Sequence, residues 1–99
     1  MDIRELSSAM EEFVASRGWD QPGSPRPQRA RNLALSLIIE AAEVLEHFQW
    51  SDEAVDKNAL ESELADVGLY WLQLGSICNI DLEAAILKKL EENHKRTWD

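Results

Sequence analysis

The sequence predicts an all-α protein, and three observations carry that expectation. Apolar residues recur at steps of three and four along each long segment, no segment alternates apolar and polar residues with a period of two, and backbone breakers crowd between Gly18 and Pro27. The 99 residues, 44% hydrophobic and 29% charged, suit one domain with a single small core. A helical chain of this size is expected to complete its core by oligomerising.

Ile3, Leu6, Met10 and Phe13 form the apolar stripe of a first helix, for which Gly18 supplies the stop. From Gly18 to Pro27 the glycines, prolines and Ser24 preclude a regular element, so this is the one substantial loop, with Trp19 and Gln21 embedded in it. After Pro27 a second helix is expected to about Trp50, with Leu33, Leu37, Ala41, Val44 and Phe48 facing inward. Glu40 falls on that same stripe, where an ionised carboxylate needs a partner.

Ser51, Asp52, Asp56 and Asn58 are all suited to starting the third helix. Its main stripe is Leu60, Leu64, Val67, Trp71, Leu74 and Cys78, and Glu63, Asp66 and Tyr70 lie on an adjoining one. Asn79 ends it. Asp81 then caps a last helix that buries Leu82, Ile86 and Leu90 and presents Lys89, Asn93 and Arg96 on one face.

The balance of 10 Lys plus Arg against 19 Asp plus Glu gives a net charge of -9, and no basic run offers a footprint for a phosphate backbone. Long nucleic acid is disfavoured as a partner, whereas a small polyphosphate is compatible if metal ions neutralise the contact. The lone Cys78, read as core, allows neither an intrachain disulfide nor a zinc-type spacing, which points to a reducing compartment. Met1-Asp-Ile-Arg-Glu5 is not a secretory pattern and no apolar run approaches membrane-spanning length, so a soluble cytoplasmic protein without membrane contact is expected.

The chemistry concentrates in Glu40-Ala-Ala-Glu43 and Glu63-Leu-Ala-Asp66, two carboxylate pairs with i, i+3 spacing, each on one helix face. Like charges so placed repel, so helix stability gives no reason for them. If the two helices pack as antiparallel neighbours, the four acids converge into an all-oxygen cage suited to a hard cation such as Mg²⁺, with Mn²⁺ as a substitute. The plainer alternative is a solvated acidic face. Lys89 and Arg96 suit phosphate oxygens, with Asn93 donating a neutral hydrogen bond, although cations near a helix C-terminus also favour its dipole. Trp19, Trp50 and Tyr70 are candidates for stacking on a base, whereas Trp71 reads as core and Trp98 as a dimer contact or a frayed end. Glu91 and His94 make a lone Glu-x-x-His, so a di-iron centre is disfavoured; no Gly-rich phosphate loop or nucleophilic triad stands out.

Taken together, Glu40-Ala-Ala-Glu43, Phe48-Gln49-Trp50, Glu63-Leu-Ala-Asp66-Val67 and the terminal Lys89, Asn93 and Arg96 resemble the all-α nucleoside triphosphate pyrophosphohydrolases of the MazG type. The resemblance runs from about Phe13 to Arg96. It implies a four-helix bundle-like, antiparallel protomer assembled as a dimer or tetramer, which hydrolyses (d)NTP to the monophosphate and pyrophosphate with Mg²⁺. By position, it makes Glu40, Glu43, Glu63 and Asp66 metal ligands, with Glu43 and Glu63 catalytic, and Lys89, Asn93 and Arg96 the triphosphate face. Arg31-Asn32-Leu33 is similar to the dCTP-pyrophosphatase branch, in which Trp19, Trp50 and Tyr70 match residues of the base pocket. The chain departs from the family at Ile39, where many members carry a further Glu, at Met10, where the dCTP branch has a histidine, at Thr97-Trp98 in place of Tyr-Pro, and in a longer Trp19–Arg31 loop. The alternative function is a non-catalytic helical module that senses nucleotides or binds a protein partner.

Overall fold

Three aspartates decide where three of the helices begin. Asp2, Asp56 and Asp81 each accept from backbone N–H groups two or three residues ahead, at 2.8 to 3.2 Å, which satisfies donors that a helix start leaves open. The computed structural model describes residues 1–97, and among them the elements are α1 (Ile3–Ser16), α2 (Ala30–Glu46), α3 (Lys57–Ile77) and α4 (Leu82–Lys95), with no strand. Of the candidate starts for α3, Asp56 is the one used. Trp98 lies outside the described residues.

The helix ends follow the expected chemistry. Gly18 adopts φ +69° after α1 and Asn79 adopts φ +58° after α3, the left-handed conformation that ends a helix with its last carbonyls satisfied. The bonds from Ile80 N–H to Gly75 O (2.8 Å) and from Asn79 N–H to Ser76 O (3.1 Å) complete that arrangement at α3. No described helix is long and apolar enough to cross a membrane.

α2 and α3 form the most extensive helix pair, α1 packs on α3, and α4 makes its main contact with α1. The core is small: Met10, Val14, Leu33 and Leu72 are buried, with Ile3, Trp19, Trp71 and Leu82 packed around the Met10, Val14 and Leu72 cluster. Gly75 is buried too, because Leu82 rests where a side chain at that position would project. Arg4 fastens α1 to the start of α4 by donating to Asp81 Oδ2 at 3.0 Å and by pairing with Glu83.

Several inward faces differ from the sequence reading. In α1 the buried turn is completed by Val14, while Leu6 and Phe13 are half-exposed because Phe13 instead stands edge-on to Trp19, ring centroids 5.5 Å apart. Ala41, Leu64 and Cys78 are exposed, so the thiol is not core. Ile86 and Leu90 are also uncovered, since α4 leaves the α2–α3 pair and lies along α1. The result is extended, 47 × 36 × 26 Å with a radius of gyration of 15.9 Å, against about 13 Å for a compact chain of this length.

Candidate active site

On α2, Asn32, Ser36, Glu40 and Glu43 follow one another at helical spacing, and on α3 so do Glu63, Asp66, Tyr70 and Gln73. The helices run antiparallel, so the low-numbered end of one set meets the high-numbered end of the other. One end of the groove is therefore carboxylate and the other neutral.

At the carboxylate end, Glu40, Glu43 and Glu63, all half-buried, each bring one oxygen to within 4.8 Å of the others. The first pair comes from α2, and the third acid crosses from α3. This is the convergence expected if the dyads meet across a helix interface. Asp66 is exposed and lies outside the trio, although its charge reaches Glu40. The Glu40 carboxyl is pushed above the usual carboxylate range, chiefly by its hydrogen bond with Glu63 and then by burial, while a hydrogen bond with Glu43 acts the other way. Three hard oxygens in this arrangement can hold a divalent cation, which would relieve their repulsion.

The neutral end opens into a cavity of about 230 Å³ lined by Trp19, Tyr70, Asn32, Ser36 and Gln73 and roofed by the Arg26–Gln28 segment of the loop. Of the three aromatics considered for stacking, Trp19 and Tyr70 line this cavity. The guanidinium of Arg26 lies over the Trp19 ring, 5.0 Å from its centroid. Ser36 is one turn from Glu40, about 6 Å along the axis, so the cavity and the carboxylates are neighbours along the helix pair.

The remaining candidates lie elsewhere in this chain. Trp50 is 88% exposed beyond the end of α2 and does not line the cavity. Lys89, Asn93 and Arg96 are on or directly after α4, away from the cavity lining, and Lys89 pairs with Glu92 at 3.3 Å. Ser36 and Gln73 line the cavity without a signal in the sequence, where lone polar residues at helical spacing carry no chemical signature, and Asn32 enters there only within the Arg31-Asn32-Leu33 resemblance.

Three carboxylates that could hold a cation lie between two antiparallel helices, beside a cavity lined by aromatic and amide side chains, in an all-α protein. The chain belongs to the MazG-like family, whose model matches residues 35–98. It is 36% identical over 104 residues to dCTP pyrophosphatase 1 of Rattus norvegicus and of Homo sapiens, an alignment covering 96% of this chain and 56% of each relative. The chain thus spans about half the length of those curated relatives. The crystal structure of a pyrophosphatase from Archaeoglobus fulgidus superposes with a TM-score of 0.77 at 35% identity, covering 94% of this chain and 89% of that one.

Proposed function

We propose that the protein is a Mg²⁺-dependent nucleoside triphosphate pyrophosphohydrolase that converts (d)NTP and water to (d)NMP and pyrophosphate. The observation that carries this reading is the convergence of three glutamates next to a cavity lined by aromatic and amide side chains, with Arg26 at its roof. The similarity to proteins named pyrophosphatases supports it.

The donor set fits a hard cation: all three candidate ligands are carboxylate oxygens within 4.8 Å of one another, and their mutual repulsion is what a cation would relieve. Glu40, Glu43 and Glu63 would hold Mg²⁺ or Mn²⁺, which would supply Lewis-acid stabilisation of the charge that develops on the phosphates. Asp66, exposed one turn from Glu63 and close enough for its charge to act on Glu40, is the fourth acid assigned to this site. Glu43 orients the attacking water and accepts its proton, and Glu63 fixes the opposite wall. The cavity around Trp19 and Tyr70 takes the base, which sets the α-phosphorus over the acids by tethering.

Lys89, Asn93 and Arg96 complete the triphosphate site, and Trp50 meets the base, when a second protomer brings them across. The protomer's shape supports a homodimer or homotetramer: its accessible surface is 7795 Å², whereas a compact monomer of its mass exposes about 5,700 Å². A reducing, cytoplasmic setting suits the one cysteine, Cys78, an exposed free thiol. Purified protein is incubated with each (d)NTP and Mg²⁺ and the products are separated. Monophosphate with pyrophosphate is expected; diphosphate with phosphate, or nucleotide binding without turnover, overturns the assignment.

A further inference from the structure

The cavity beside the acids carries more polar side chains than packing between two helices requires. Asn32 and Ser36 line it from α2, and Tyr70 and Gln73 from α3. None of the four makes a side-chain hydrogen bond to another described residue. Gln73 is half-buried and also borders the adjoining cavity near Met10 and Val14, so it lines both openings. Its polar atoms are not sealed from solvent, so they are free to pair with a ligand that enters the cavity.

Charge and position narrow the ligand group it serves. The acids at the far end suit a cation and the phosphates it carries, while the Gln73 end offers neutral donors and acceptors. A carboxamide presents one acceptor and two donors side by side, which matches the edge of a heterocycle with adjacent donor and acceptor atoms. The Trp19 ring is covered on one face by Arg26, 5.0 Å from its centroid, so it is no bare stacking platform and discrimination falls to the polar wall. Gln73 lies ten residues from Glu63, about 15 Å along α3, too far to touch a phosphorus held by the acids.

We infer that Gln73 is the specificity-determining residue for the nucleobase: its carboxamide pairs with the donor–acceptor edge of a base lodged in the cavity, with Asn32 and Ser36 meeting the remaining polar atoms. This rests on the triphosphate reading above and adds which group selects the base. Because Gln73 meets the base and not the phosphates, its removal is expected to act more on KM than on kcat.

The test compares kcat and KM for dCTP and dUTP, pyrimidine nucleotides of equal size that differ at the base edge, in wild type, Gln73→Met and Gln73→Glu. Wild type is expected to separate the two substrates by about tenfold or more in kcat/KM, the scale of a bidentate base contact. Gln73→Met should narrow the ratio to within about threefold, through KM, with kcat for the poorer substrate unchanged. The isosteric Gln73→Glu keeps the shape and removes the donor, so its ratio should also shift; it serves if the Met variant loses its helical circular dichroism. A wild type indifferent to the base, or an unchanged ratio in the folded variants, overturns the role of Gln73 while leaving pyrophosphate release intact. A wild type that releases no pyrophosphate from any triphosphate overturns both.

Discussion

Glu63 is the one member of the acidic trio contributed by α3, so it alone ties that helix to the charge held by α2. Gln in its place keeps the volume and one acceptor but loses the negative charge. Glu63→Gln is therefore expected to lower kcat by at least about a hundredfold while circular dichroism stays helical, since losing even groups that support a ligand costs tenfold or more. A loss under tenfold would make the trio peripheral to the reaction. At this scale the acids were legible because a like-charged pair on an apolar stripe has no structural reason to exist. Ser36 and Gln73 were not legible: a neutral polar residue reads the same on a wet face as in a pocket, and only the neighbouring helix distinguishes them.

Two glycines of α3 give opposite expectations. At Gly68 a Cβ would meet nothing within 4 Å, so Gly68→Ala should stabilise the fold by about 0.5–1 kcal/mol through helix propensity. At Gly75 the same atom would come 2.5 Å from Leu82 Cδ1 and 2.7 Å from Leu82 Cγ. Gly75→Ala should therefore destabilise by about 1–3 kcal/mol, read by urea unfolding, as α4's anchor is displaced. The capping aspartates make a further element-scale test. Asp81 is held below the usual carboxylate range by the N–H of Ala84 and by Arg4. A lowered carboxylate contributes stability above its ordinary pKa, and that contribution disappears as the pH falls through the lowered value. Asp81→Asn retains a good cap but not the charge, so its Tm should fall below wild type at pH 7 and meet it in strong acid. Helix starts and stops were legible here because caps are local chemistry. The phase of α1 was not, because Phe13 and Val14 are equally apolar and the choice between them depends on Trp19 from the loop.

At the scale of the whole molecule, the exposed faces matter more than the core. Ile38, Ile39 and Leu45 on α2 and Leu87 and Leu90 on α4 are each more than half exposed. Apolar surface on this scale is what an obligate interface covers. Light scattering on the eluting protein is expected to return a multiple of the 11.3 kDa protomer, and Leu90→Glu to shift it toward the single-chain mass. The periodicity of α4 was legible, but the sequence reading turned Ile86 and Leu90 toward the chain's own core, because a stripe records that a face is covered and not which chain covers it. The central claim concerns where water attacks, and hydrolysis in ¹⁸O-labelled water with Mg²⁺ tests it most directly. The account predicts label in the nucleoside monophosphate and none in the pyrophosphate; label in pyrophosphate or free phosphate would contradict it.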